Sequence, residues 1–237
     1  MAILLAYQIV DEIVKDDLPV GTMLPTEREM LANYGVARAT LREALRFLEM
    51  QGAIEIKTGA GGGPVLSSPG FRPVAGALAL VLQLERTSFR AVMEARLELE
   101  PMLARRAAEH RTDADLEDLS ALMDAMDDSD AGSEDFLEKN RLFHIRIAQT
   151  GGNPVLYHVI GSLSWIEDGT AIGIGYAGST HKPIQAAHRR IYEAIEAKQS
   201  DVAEEAMRRH INEAIKYAEK HYRAVLDQPV PWSKVEA

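Results

Sequence analysis

Seven histidines occur in this 237-residue chain, and three of them, His144, His188 and His210, stand where a fold could bring them to one cation. Asn140 precedes His144 by four residues, so the two share a helical face. On one continuous helix His188 and His210 would lie roughly 33 Å apart, too far to share an ion. A break near Ser200 changes this, because Asp201 opens a new helix with Glu204 three residues on, in the manner of a capping box. Folded back as a hairpin, the two helices hold both histidines at roughly 15 to 18 Å from the turn. Three imidazoles with an oxygen ligand suit zinc, or another late first-row divalent ion such as nickel, and leave open positions for water or a ligand. Spacing alone also allows three separate core or surface histidines. His110, His158, His181 and His221 show no partners in the pattern and are read as surface or packed side chains.

A second constellation is cationic. Arg38, Arg42 and Arg46 recur at i, i+4 and i+8, with Thr40 beside them, on the side of a helix away from Leu41, Leu45 and Leu48. A helix packed on one face and presenting arginines on the other can enter a DNA major groove, where guanidinium groups suit guanine edges and phosphates. The competing reading is a solvated charged face that pairs with Glu43 and Glu49. A third pattern, Gly173 to Gly178, spells GxGxxG, but it follows a helix within a helical region. The dinucleotide fingerprint needs a strand before it, so the segment is read as a loop.

These residues need elements to position them. The spacing predicts a helix from about Ile3 to Asp17, with Leu4, Ile9, Ile13 and Val14 near one face. A short capping-box helix follows from Thr26 to about Tyr34, closed by Gly35, and a third helix runs from about Arg38 to Gln51. Ala53 to Thr58, a glycine tip and Pro64 to Leu66 then read as a hairpin. Three helices and a hairpin make a winged helix-turn-helix over residues 1–66, and residues 67–73 (SSPGFRP) read as a linker. Beyond it no convincing strand occurs. Residues 74–222 read as an all-helical bundle of about seven helices, and 223–237 as a loose tail. The fold class is thus mostly α, with a small β-hairpin wing.

Composition bounds the function. Apolar residues make up 46% and charged residues 26%, an ordinary globular mix, and the absence of cysteine excludes disulfides, thiolate zinc fingers and cysteine nucleophiles. The net charge of −10 argues against nucleic acid until its distribution is considered. The acidic residues of the first domain gather at Asp11, Glu12, Asp16 and Asp17, whereas five of its six basic residues come after Glu27, so a local positive face remains available. No 18-residue apolar run and no basic leader are present, which makes the cytoplasm the expected location and a membrane partner unexpected.

The stretch LPTERE, followed by GVARATLREALRFLEMQG, strongly resembles the winged-helix domain of the GntR family of bacterial transcription regulators. The resemblance implies DNA contacts from Arg28, Arg38, Thr40 and Arg42 and from the wing glycines Gly61 and Gly62. Ala37 departs from the Ser or Thr usual at that helix cap, which costs roughly 1 kcal/mol. The stretches MEARLELEPMLARRAAEHRT, NRLFHIRIAQTGGNPVL and HRRIYEAIEAKQSDVAEEAMRRHI resemble the FadR-type effector-binding (FCD) domain of the same family. This implies a metal site of Asn140, His144, His188 and His210, with Asn140 in place of the usual Asp. It also makes Arg96 a pocket arginine able to clamp a carboxylate, its other role being a salt bridge to Glu100 at i+4.

The expectation is therefore a ligand-responsive transcription regulator, a repressor rather than an enzyme. It would bind a palindromic operator as a homodimer and sense a small organic acid through a metal-containing helical domain. The alternatives are a metal-free regulator with an apolar acyl effector and a three-histidine metal-dependent hydrolase. The second lacks a recognisable base motif and leaves the winged helix unexplained.

Overall fold

The computed structural model describes residues 1–59, 61–130, 133–166 and 181–235, and they divide into two compact units, Met1–Pro73 and Val74–Ala237. In the first unit α1 (Ala2–Lys15), α2 (Glu27–Tyr34) and α3 (Arg38–Met50) precede an antiparallel hairpin of β1 (Ile54–Lys57) and β2 (Gly63–Leu66), with Ile54 opposite Leu66 and Lys57 opposite Gly63. The three helices share one core, in which Leu5, Ala6 and Ile9 of α1 meet Met30 of α2 and Leu41, Ala44, Leu45 and Leu48 of α3. The buried face of α1 is therefore the expected one only in part: Ile9 is buried and Ile13 packs against this core, whereas Leu4 and Val14 face out. Leu4 is 65% and Val14 72% exposed. At about 100° per residue, the stripe through Leu5, Ala6 and Ile9 turns both of these outward.

Local chemistry explains the boundaries. Thr26 and Glu29 form a reciprocal capping box at the start of α2, and Gly35 ends that helix in the left-handed conformation at φ 61°, which glycine adopts without strain. The stretch between α1 and α2 braces the wing. Gly21 N–H donates to Leu66 O at 2.8 Å, Leu66 N–H to Thr22 O at 2.8 Å and Leu24 N–H to Pro64 O at 2.9 Å. At the wing tip a Cβ on Gly62 would stand 2.2 Å from the Lys57 carbonyl oxygen, so only glycine fits there.

The second unit is helical: α4 (Arg72–Leu84), α5 (Phe89–His110), α6 (Asp113–Asp127), α7 (Glu134–Thr150), α8 (Pro154–Ile166), α9 (His181–Glu196), α10 (Ser200–His221) and the short α11 (Arg223–Leu226) and α12 (Trp232–Val235). Here α4 begins at Arg72, inside the expected linker, because Pro73 sits in a first turn where its missing N–H costs no helical bond. Small side chains on α5, Ala104, Ala107 and Ala108, are fully buried. They share a core with Phe136, Phe143 and Ile147 of α7, Ile191 and Ile195 of α9, and Ala203, Met207 and Ile211 of α10. α9 and α10 pack against each other after the break at Gln199, as a hairpin does.

The expected loose tail is corrected. Leu226 and Val230 are 1% and 0% exposed, Phe89 N–H donates to Gln228 O at 3.1 Å and Val230 N–H to Thr87 O at 3.1 Å. Two apolar anchors in a proline-rich stretch suffice to dock it onto the start of α5, although they leave no periodicity to read. The GxGxxG segment lies outside the described residues. Among the described residues, no helix is long and apolar enough to cross a membrane.

Candidate metal centre and nucleic-acid interface

The amphipathic α3 buries Leu41, Leu45 and Leu48, and this leaves Arg38, Arg42 and Arg46 exposed on its other side. Thr40 is half-buried, and Arg28 is exposed in the first turn of α2. The pairing with Glu43 and Glu49 that the competing reading required is not what the structure records. Instead Glu27, the first residue of α2, accepts from Arg42 Nε at 3.1 Å, and its Oε1 lies 3.5 Å from Arg38 Nε. The pairing partner comes from a neighbouring helix, which no helical spacing could reveal. Gly61 is exposed at the wing tip with φ 81°. α3 starts at Ala37 as its cap residue, in extended conformation and without a side-chain cap bond.

In the second unit the three histidines converge from three helices, His144 from α7, His188 from α9 and His210 from α10. Nε2 of His210 lies 3.2 Å from Nε2 of His188 and 3.2 Å from Nε2 of His144. Zinc–nitrogen bonds of about 2.0 to 2.1 Å in a tetrahedron set nitrogens about 3.3 Å apart, so these two distances suit a coordination shell as well as an N–H···N contact between neutral rings. All three rings are buried, His188 completely. Phe143 stacks on His188 at 4.2 Å between centroids and holds the ring in place. His188 Nδ1, on the far side of the ring from the cluster, is buried without a hydrogen-bond partner, a cost of about 1 to 3 kcal/mol that is the same whether or not Nε2 meets a cation. Asn140 lies one turn before His144 on α7 and is half-buried.

Burial, with His210 and His144 nearby, pushes His188 well below the usual imidazole range, and burial with His144 pushes His210 down to about 3. Both rings are therefore neutral at pH 7, the form that coordinates a cation. Arg96 and Glu100, one turn apart on α5, form a buried ion pair. The other Glu100 oxygen, Oε2, lies 2.5 Å from His144 Nδ1. Burial acts to raise the Glu100 carboxyl, yet Arg96 and His144 hold it far below the usual carboxylate range. Of the two roles open to Arg96, the structure thus records the bridge to Glu100. The i, i+4 spacing of that pair was visible in the sequence, whereas the link from Glu100 to His144, 44 residues on, left no signal there.

The comparisons with known proteins fit this division. A model of bacterial regulatory proteins, gntR family, matches residues 5–62, and the FCD domain model matches residues 91–213. The chain belongs to the GntR family. Within it, the regulator is 27% identical over 200 residues to the HTH-type transcriptional regulator LutR of Bacillus subtilis (strain 168), covering 82% of this chain and 90% of that one. It is 29% identical over 197 residues to the HTH-type transcriptional repressor NanR of Escherichia coli (strain K12), covering 81% of this chain and 74% of that one. The solved structure of a Streptococcus agalactiae GntR protein superposes with a TM-score of 0.68 at 27% identity, over 91% of this chain and all of the other. The GntR-family chain is accordingly a transcription regulator that joins a winged helix-turn-helix to an FCD effector-binding domain.

Proposed function

We propose that this regulator is a cytoplasmic repressor that binds a palindromic operator as a homodimer and senses a small organic acid at a metal centre in its helical domain. The observation that carries the reading is the convergence of three buried imidazole nitrogens at coordination spacing. His144, His188 and His210 would hold a divalent cation such as zinc or nickel, with Asn140 as a neutral oxygen donor. When bound, that ion supplies a positive anchor for a carboxylate. Arg96 is the candidate second anchor for the acid, and Arg28, Arg38, Thr40, Arg42, Gly61 and Gly62 are the candidate DNA contacts. A palindrome calls for two reading heads, and Val74, Val81 and Leu84 are exposed on one side of α4, apolar surface that a second copy would cover.

Elemental analysis of the untreated protein and melting with and without chelator test the reading. The expected results are one divalent ion per chain and a lower melting temperature once it is removed, since an ion that binds only the folded state stabilises it by mass action. No stoichiometric metal, and no shift of the melt on adding zinc or nickel, would reduce the site to three packed histidines. Gel shifts with a panel of small carboxylic acids then test the effector class.

A further inference from the structure

We infer that Glu100 is a positioning residue for the metal centre, one that holds His144 with Nδ1 protonated and Nε2 bare and turned toward His188 and His210. This rests on the metal reading above. Glu100 is not itself placed as a ligand. Among the described residues, the group of three or more histidine or acidic side chains whose ligating atoms all lie within 4.8 Å of one another is the three histidines, and the Glu100 oxygen lies at the opposite ring nitrogen of His144.

The geometry assigns a direction to that contact. A carboxylate is acceptor-only, so the hydrogen between Glu100 Oε2 and His144 Nδ1 belongs to the imidazole, which donates across 2.5 Å. A neutral ring with its proton on Nδ1 has its lone pair on Nε2, the atom 3.2 Å from His210 Nε2. The Arg96 guanidinium on Oε1 fixes the rotation of the carboxylate, so that Oε2 is the oxygen left for His144. All three side chains are at most 8% exposed, and little water is at hand to substitute for any of them. Three imidazoles and the Asn140 amide are all neutral. Glu100, its charge balanced by Arg96, therefore acts on the site through the hydrogen bond it accepts from His144, without occupying a coordination position. His188 has no such partner on its own Nδ1 and is held by stacking on Phe143. The three ligands are thus not equivalent.

The full-length protein, stripped of metal and titrated with zinc against a chromophoric chelator, tests this. The variants are Glu100→Gln and, because an unpaired Arg96 could unfold the bundle, the double variant Arg96→Met with Glu100→Leu, which removes the buried pair as a unit. Each should bind zinc about 10- to 100-fold more weakly than the wild type. Long-range ¹H–¹⁵N spectra of the histidine-labelled, zinc-free protein supply a readout that a merely structural role would not move. His144 should carry its proton on Nδ1 in the wild type and lose that preference in the double variant. If the wild type binds zinc and the folded variants bind it equally well, or if the zinc-free wild-type ring carries its proton on Nε2, Glu100 is a structural partner only and the metal centre stands without it. A wild type that binds no zinc overturns both readings.

Discussion

Arg42 Nε donates to Glu27 Oε1 at 3.1 Å, which ties the exposed face of α3 to the first residue of α2. The two side chains are 67% and 36% exposed, so the pair contributes at most about 1 kcal/mol and is readily exchanged for a phosphate or a guanine edge. Arg42→Ala should therefore weaken operator binding by about 1 to 3 kcal/mol and leave the melting temperature nearly unchanged. A gel-shift titration at fixed salt measures this, and equal affinity would remove Arg42 from the contact set.

Ala37 occupies the cap position of α3 in extended conformation but offers no acceptor to the first-turn amides. Ala37→Ser supplies one. Stability should rise by about 1 kcal/mol in urea or thermal unfolding. A loss would mean that the added hydroxyl meets a steric obstacle at that turn.

Asp115 accepts from the Thr112 backbone N–H and hydroxyl at the start of α6 and from Arg146 of α7 at 3.0 Å. Partial burial works to raise its carboxyl, but the Thr112 bonds and Arg146 win, and it is held below the usual value. A folded-state value below the unfolded one adds stability that is present above the unfolded value of about 3.9 and is lost as the pH falls through the folded one. Asp115→Ala should cost about 1 to 3 kcal/mol at pH 7, and the difference from the wild type should shrink in acid. A difference that stayed constant from pH 7 to pH 3 would contradict the assignment.

Ending the chain after Tyr222 should be costly, because Leu226 and Val230 are buried in the helical unit. Losing two such side chains amounts to about 3 to 5 kcal/mol, enough to lower the unfolding midpoint clearly. A truncated protein with an unchanged midpoint would mean that the docked segment adds no stability.

Asn140→Asp places a carboxylate one turn before His144. If Asn140 faces the cation, zinc affinity should rise by about tenfold, roughly 1.4 kcal/mol, because charge is added at an unchanged position. Chelator competition reads this directly. An unaltered affinity would remove residue 140 from the ligand set, and His188→Ala, which should abolish binding, serves as the control.

Local signals decided much of this fold. The 3.6-residue apolar stripe of α3, the capping box at Thr26 and the glycine after α2 each act within one or two turns of chain, so they could be read in order along the sequence. From the stripe of α3 alone it followed that Arg38, Arg42 and Arg46 face away from the core. The break at Ser200 likewise turned a 22-residue separation into a hairpin that could bring His188 and His210 together. Other features depend on tertiary packing and have no local signature. Whether Leu4 or Leu5 faces inward depends on how α1 is rotated against α3. The dock of Val230 rests on single apolar side chains without a period. The partners of Arg42 and His144, Glu27 and Glu100, come from other helices, 15 and 44 residues away. A residue's type and spacing say what it can bond; only the packed helices decide which carboxylate meets which cation, and that choice distinguishes a set of histidines from a candidate metal centre.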